Sequence, residues 1–459
     1  MHKKISLFSL VLLIVAAIDS IRNFPSMALF GSSLVFFFVF SALFFLLPIS
    51  LVSAEFASRN AEEGGVFHWV RHAFGKRVGV LAVWLQWINT MVWYPTILSF
   101  IAGTAAYLVN PALGENKAFV VSVVLAVFWG LTLLNLRGIQ ISARLNAWCG
   151  SIGTLVPIGL LIVFGIIWFF GNHPVEIAFT SKTMLPSLSH SNNWVSLIAI
   201  MASFLGMELA GVHVNDIHNP QKNFPKALGL SVIILFGTML LGALSIAVVI
   251  PDTQIKLVSG VMQTFQAFFE AFGLSFLMPV LTVLVLIGSV GMMINWLVSP
   301  AKGLLQAAEF GFLPKFFLKK NEHGVAVRIL LAQAVLVTLF CLVLLLMPSI
   351  NAFYWFLTAL STDLYMCMYV LVFLSALKLG RPPREGLHYR IPKGSRRLAC
   401  VMGLIGCAIT LIVGYFPPSD IQVGGMLWYG SLIGAGHIIA IAPVFLLWWY
   451  QASREKSSF

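Results

Sequence analysis

AAIDSIRNFPSMALFG (16–31) and SFLGMELAGVHVNDIHNP (203–220) are the two places where long apolar runs are broken by charged, amide and small residues. The first puts Asp19, Ser20, Arg22 and Asn23 at membrane depth, followed by Pro25. Proline suits the first turn of a helix, so Pro25 reads as the start of a second half-helix. The second sets Gly206 and Gly211 around Glu208, then His213, Asn215 and Asp216. Lipid offers the backbone no hydrogen bonds, so unwound chain at this depth must line a cavity or be buried in protein. A half-helix N-terminus there presents unpaired N–H groups and a positive dipole end, which suits an anion such as a carboxylate.

Composition explains why these breaks lie in a membrane. Of 459 residues, 59% are hydrophobic and 10% charged, with a mean hydropathy of +0.94. A soluble chain carries about a quarter charged residues. Runs of about 20 apolar residues, the length that crosses a bilayer, place twelve helices. The first six fall near 5–29, 33–54, 78–109, 118–136, 146–170 and 194–217. The second six fall near 225–250, 272–308, 326–347, 352–378, 398–416 and 427–450. The fold class expected is therefore an all-α integral membrane protein of twelve transmembrane helices.

The net charge of +12 does not mark a nucleic-acid binder, because the basic residues sit in short stretches between apolar runs. With the N-terminus inside, 24 of the 28 Lys and Arg fall in inner tails and loops; only Lys117, Lys182 and Lys256 fall outside, and Arg22 lies within a helix. That bias puts both termini in the cytoplasm and the basic loops against anionic lipid headgroups. The start, MHKKISLFSLVLLIVAAIDS, has lysines before an apolar run, as a signal peptide does. No small-x-small cleavage site directly follows the apolar run, the polar break IDSIRN leads into another apolar stretch, and the segment reads as a retained first helix. The five cysteines (Cys149, Cys341, Cys367, Cys400 and Cys407) lie in or beside apolar segments with no CxxC pair, so neither a zinc site nor a disulfide framework nor any cofactor is indicated.

The breaks fall in the first and sixth helices, five places apart, so the broken helices enter the membrane in opposite directions. Paired broken helices at matching places in inverted halves point to a secondary transporter. The halves are residues 1–170, with helix one broken near 19–25, and 192–378, with helix six broken near 206–213. Two further helices follow at 396–450, then a short cytoplasmic tail at 451–459. A membrane hydrolase would carry HExxH or GxSxG, and a channel would carry a filter loop or rings of like charge; the sequence has none of these.

Three stretches carry a family resemblance over almost the whole chain. AEFASRNAEEGGVFHWVRHAFG (54–75) resembles the loop after helix two of the amino acid–polyamine–organocation superfamily, and within it the glutamate/GABA antiporter family. GMELAGVHVNDIHNPQKNFPKAL (206–228) resembles that family's helix-six pattern, and SPAKGLLQAAEFGFLP (299–314) its helix-eight exit. The resemblance implies a LeuT-type fold of a 5+5 inverted repeat plus two C-terminal helices. It further implies exchange of amino acids, or of their decarboxylation products, by alternating access in a plasma membrane, the inner membrane if the source is bacterial.

By position, Glu208 matches the family's helix-six glutamate, Trp296 its helix-eight pocket tryptophan, and Tyr365 and Tyr369 its helix-ten tyrosine pair. Ile21, Arg22, Asn23, Trp93, Phe204, Gly206 and Met292 complete the expected substrate pocket. Two positions depart from the glutamate exchangers. Met292 stands where they carry a glutamate one turn before the tryptophan, and Arg22 where they carry an aromatic. The tail QASREKSSF is too short for the folded plug of some relatives.

Each candidate has a structural alternative. Glu208, an ionisable group at membrane depth, either takes and releases a proton during the cycle or bonds the unwound backbone. Arg22 either grips an acidic substrate bidentately or pairs with Asp19 three residues away. His213 is a titratable group at the cytoplasmic side, and Asp363, just before the tyrosines, a gating or binding carboxylate. Trp84, Trp87, Trp93 and Tyr94 suit packing or the membrane interface, with Trp93 and Tyr94 also placed to face a pocket. Glu62, Glu63, Gly64 and Gly65 shape the inner loop. Small amino acids, protons and the bilayer are the partners implied, either in exchange or in proton-coupled symport.

Overall fold

The computed structural model describes residues 6–59, 65–137, 143–186, 194–209, 217, 219–309, 311, 314–380, 391–419 and 421–457. Leu7–Ile18 (α1) starts on a Ser6 cap and stops at Asp19, whose backbone is extended. A 3₁₀ turn at Ile21–Asn23 leads into Phe24–Ala28 (α2), with Pro25 in its first turn. Leu34–Ser41 (α3) passes through a π turn, Ala42–Leu46, into Leu47–Arg59 (α4). Val66–Phe74 (α5), Lys76–Ala106 (α6), Lys117–Leu136 (α7), Ala143–Phe170 (α8) and Ser181–Met184 (α9) follow. Ser196–Ser203 (α10) ends in a turn and a 3₁₀ segment at 207–209. Then come Pro220–Ala247 (α11), Gly260–Ala271 (α12), Met278–Glu309 (α13), Val327–Leu342 (α14), Ile350–Leu379 (α15), Lys393–Val413 (α16) and Met426–Ser457 (α17). Among the described residues there is no β-strand, only an isolated bridge between Lys320 and Ala326.

Ten helical stretches among the described residues are long and apolar enough to cross a bilayer. The two missing from the twelve read in the sequence are the third and the sixth. The third is the 31-residue α6, whose middle carries Gln86, Asn89, Thr90, Tyr94, Pro95 and Thr96. A helix enclosed by protein can carry such groups, because its neighbours rather than lipid surround it. The sixth is represented by the shorter Ser196–Leu209. Two short helices, α5 and α12, stand in stretches read from sequence as loops. The eighth expected helix, 272–308, begins instead with a 3₁₀ turn at Ser275–Leu277, after α12 has ended.

Helices α6 and α15 pack against each other at the centre, with α13, α14, α5 and α17 around α6, and α16, α10 and α5 around α15. Trp355, Tyr94, Tyr354, Tyr365 and Tyr369 are among the largest fully buried side chains, and all lie on these two helices. The outer helices turn bare apolar faces outward: α17 exposes Leu427, Trp428, Ile438, Ile439, Leu446 and Trp449. Such a surface is stable only against lipid tails.

Association inside the bundle rests on close packing and polar contacts. Trp84 donates its indole N–H to the Ala440 carbonyl on α17 at 2.8 Å, and Trp87 donates to Gln333 on α14 at 3.0 Å. These two tryptophans therefore fasten helices together. Glu55 on α4 pairs with Arg396 on α16 at 2.6 Å, with both side chains buried. Glu55 also accepts from the Ile391 N–H, and Arg396 donates to the Ala376 carbonyl. Gly153 on α8 and Gly288 on α13 touch backbone to backbone, so that a Cβ on either would overlap the other chain segment.

Gly288→Val should force α8 and α13 apart and cost about 1–3 kcal/mol, as overpacking of a tight core does. Melting temperature in detergent reads this directly. Gly130→Val, where a Cβ meets open space, should leave it unchanged.

Candidate functional site

The first interruption presents Arg22 to the interior. Its guanidinium lies 4.7 Å from the centre of the Trp93 ring on α6, a cation–π contact. Nη1 donates to Thr96 Oγ1 at 2.8 Å and to Tyr354 Oη at 3.3 Å. Tyr354 Oη in turn donates to the Arg22 carbonyl at 3.1 Å. Nε is buried without an acceptor among the described residues. No ion pair joins Arg22 to Asp19 among the described residues. Asp19 instead accepts from Thr238 Oγ1 on α11 at 2.7 Å through one oxygen, while the other has no hydrogen-bond partner among the described residues.

The second interruption presents Glu208. Gly206 adopts φ = +104°, a conformation L side chains rarely take, which ends α10 and turns the chain inward. Tyr365 Oη donates to Glu208 Oε1 at 2.6 Å, Tyr369 Oη donates to Oε2, and Gln86 Nε2 donates to Oε1 at 3.3 Å. Gln86 also reaches Tyr365 Oη at 3.2 Å. Tyr369 Oη accepts the Gly206 N–H at 2.9 Å. The glutamate is thus caged by two tyrosines from α15 and an amide from α6.

Aromatic side chains join the two interruptions. The Trp93 ring lies 5.2 Å from that of Trp296 on α13, and a Cβ on Gly206 would come to 4.0 Å of the Trp296 ring. Tyr94 Oη donates to the Trp296 carbonyl at 2.6 Å. Beside Arg22 lies a cavity of about 10 Å³. It is lined by Ser20, Ile21 and Arg22, by Ile97 and Phe100 of α6, by Thr154 of α8, and by Ser289 and Met292 of α13. That is room for about one water, so an amino acid enters only when these walls move.

The residues singled out from sequence separate into groups. Ile21, Arg22 and Met292 line the cavity; Trp93 and Trp296 wall off the Arg22 side; Gly206, Glu208, Tyr365 and Tyr369 form the cage. Asn23 is buried in the 3₁₀ turn, where its carbonyl accepts from Ser26. Phe204 does not reach the cavity: it is fully buried edge-on against Phe38 of α3, 5.7 Å between ring centres. Asp363 is also apart from the cage. Two residues along a helix is a turn of about 200°, so it faces away from Tyr365, toward Gly414 and His437. His213, Glu62, Glu63 and Gly64 lie outside the described residues. Sequence reading missed Gln86, Thr96, Tyr354 and Thr238. Periodicity held a signal for two of them: Tyr354 is about three turns before Tyr365, and Gln86 about two turns before Trp93.

Interrupted helices with a buried cation and a buried carboxylate set into the gaps define a multi-pass membrane transporter. The amino acid permease family model matches residues 5–438, and the chain belongs to that family. It is 37% identical over 457 residues to a transporter of Legionella pneumophila, covering 99% of this chain and 98% of the relative. It is 30% identical over 456 residues to a glutamate/gamma-aminobutyrate antiporter of Lactococcus lactis, covering 97% and 90%. A probable agmatine/putrescine antiporter of the same species is 25% identical over 383 residues, covering 82% and 80%.

Tyr369→Phe deletes the hydroxyl shared by the Gly206 N–H and Glu208, a loss of about 1–3 kcal/mol for groups left unsatisfied. Transport in proteoliposomes should slow by roughly fivefold or more. Tyr365→Phe, which leaves the Gly206 N–H paired, should cost less. Equal effects of the two variants would refute the shared-hydroxyl role.

Proposed function

We propose that this chain is an amino acid exchanger whose cargo carries a side-chain carboxylate, taken up in exchange for another amino acid or its decarboxylation product. The observation that carries this reading is Arg22: a cation lining the cavity, with no carboxylate partner among the described residues and a buried Nε lacking an acceptor. A buried donor without an acceptor is an uncommon and costly state in a folded protein, and a carboxylate relieves it with a charge-assisted bond. Removing the α-carboxyl group of an acidic amino acid leaves the side-chain carboxylate intact. One arginine therefore serves both the incoming acid and the outgoing product, glutamate and GABA being such a pair. The name of the 30%-identical Lactococcus relative supports this pairing.

In this reading the fold is twelve helices arranged as two inverted five-helix halves plus two, with both termini cytoplasmic in a bacterial inner membrane. The halves are 1–170 and 192–378. Cargo sits between the interruptions at Ile21–Pro25 and Gly206–Gly211. Trp93 and Trp296 are its lids, and the Glu208 cage reports occupancy across them. Glu208 also favours a second reading, proton-coupled symport, since a carboxyl held by neutral donors can take and release a proton at membrane depth.

Proteoliposomes separate the two. An exchanger takes up labelled amino acid only when unlabelled amino acid is inside; a symporter follows an imposed proton gradient into empty vesicles. Arg22→Gln should weaken competition by acidic amino acids at least about tenfold, since losing one member of a buried charge pair costs about 2–5 kcal/mol, and should spare neutral ones. An unchanged ranking of competitors would remove Arg22 from recognition. Glu208→Gln with unaltered transport and pH dependence would remove the proton role.

A further inference from the structure

Asp363 lies where α15 meets α16 and α17, on the face of α15 turned away from the Glu208 cage. Its carboxylate is fully buried, and neither oxygen has a hydrogen-bond partner among the described residues. Gly414, at the end of α16, comes so near that a Cβ there would overlap the carboxylate. From α17, His437 brings Nε2 to 3.9 Å of Oδ2, and that nitrogen is also buried with no hydrogen-bond partner among the described residues.

The other ring nitrogen fixes the chemistry. His437 Nδ1 lies 2.8 Å from the Ile433 carbonyl oxygen, much nearer than the Tyr415 hydroxyl at 3.4 Å, which can accept from it or donate elsewhere. A carbonyl oxygen only accepts, so Nδ1 carries a hydrogen, and a neutral ring then turns the lone pair of Nε2 toward the carboxylate. Two acceptors facing each other away from water are costly without a proton between them. The pair is relieved when one proton is present, either on Asp363 as a carboxylic acid or on His437 as an imidazolium.

The remaining titratable groups nearby come from every packed element. Cys367 follows one turn along α15, Cys407 is on α16, Tyr415 lies just past α16, and Tyr429 is on α17. Tyr415 stacks on the His437 ring with planes 8° apart. All four are neutral when protonated, so none supplies a positive charge to Asp363.

We propose that Asp363 and His437 form a proton-binding site, separate from the Glu208 cage, whose occupancy sets how α16 and α17 seat against α15. Loss of the proton leaves facing acceptors and loosens that contact. Because α15 carries Tyr354, Tyr365 and Tyr369 on its other side, any shift of the helix reaches both interruptions. The site thereby contributes a pH dependence to transport that does not involve Glu208. The proposal goes beyond the exchange reading and uses it only for a transport measurement.

Infrared difference spectra of the purified full-length protein, taken between acid and alkaline pH, test the site without any substrate. A protonated-carboxyl or imidazolium band should titrate in the wild type and in Glu208→Gln, and disappear in Asp363→Asn. His437→Gln should move its midpoint by about one pH unit or more, the effect of replacing an acceptor that faces the carboxylate with an amide that can donate to it, and it carries the test if Asp363→Asn does not fold. Spectra from Asp363→Asn and His437→Gln that titrate as the wild type does would overturn the proposal. In proteoliposomes, the amide introduced by Asp363→Asn permanently supplies the hydrogen that Nε2 needs. This variant should therefore lose a pH step in rate that the wild type shows; its retention of every step would overturn the coupling to transport. A wrong assignment of the cargo leaves the infrared result readable.

Discussion

Two tyrosine hydroxyls on one helix hold both broken segments. Tyr354 Oη donates to the Arg22 carbonyl and accepts from the same residue's guanidinium. Tyr369 Oη accepts the Gly206 N–H and donates to Glu208. Each hydroxyl uses its donor and its acceptor on one interruption, meeting a stray backbone group and an ionisable side chain together. The constraint behind this is the lack of water at membrane depth: a helix can stop there only if something else completes its hydrogen bonds. Helix α15 supplies that completion for both breaks, so the breaks are positioned relative to each other through it.

The rest of the bundle follows from keeping α15 and its neighbour α6 in register. Helix α6 contributes Gln86 to the carboxylate and Thr96 and Trp93 to the arginine, so it too spans the distance between the breaks. Trp84 and Trp87 on the same helix point elsewhere and tie down α17 and α14. A polar helix at the centre needs protein on every side, and the apolar outer helices with their bare lipid faces provide it. The close Gly153–Gly288 contact seats α13, which carries Met292 and Trp296, against α8.

The membrane class is legible in the sequence because composition and charge bias are sums over the whole chain and tolerate local error. The break at Asp19–Pro25 is legible because charged and amide side chains are costly within an apolar run unless the helix opens around them. What escapes is the partner of each charge. Arg22 and Asp19, three residues apart in sequence, suggest an ion pair, yet the fold draws them to Thr96, Tyr354 and Thr238 on other helices. Phe204 sits beside Gly206 in sequence, but the end of α10 turns its ring into the packing around Phe38. Asp363 and Tyr365 read as one site along the chain, whereas helical rotation puts them on opposite faces. Adjacency in sequence misleads on a helix, and partners tens or hundreds of residues away leave no local trace.

The same molecule also contains a measure of what a purely structural charge looks like. Glu55 and Arg396 are buried, yet the glutamate has the arginine and the Ile391 N–H, and the arginine has the glutamate and the Ala376 carbonyl. Each side chain thus has two partners, and the pair joins α4, α15 and α16, with Arg396 Nε meeting Glu55 as an ion-pair contact rather than as a hydrogen bond. Breaking such a pair costs about 3–5 kcal/mol, which is ample reason to keep it complete. Arg22, Asp19 and Asp363 are as deeply buried but incomplete: Nε of Arg22, one oxygen of Asp19 and both oxygens of Asp363 have no partner among the described residues. Glu55 and Arg396 each face an opposite charge, whereas among the described residues Arg22 and Asp19 have none within ion-pair reach and Asp363 has only the His437 ring. In the readings proposed above, a cargo carboxylate completes Arg22 and a proton completes Asp363.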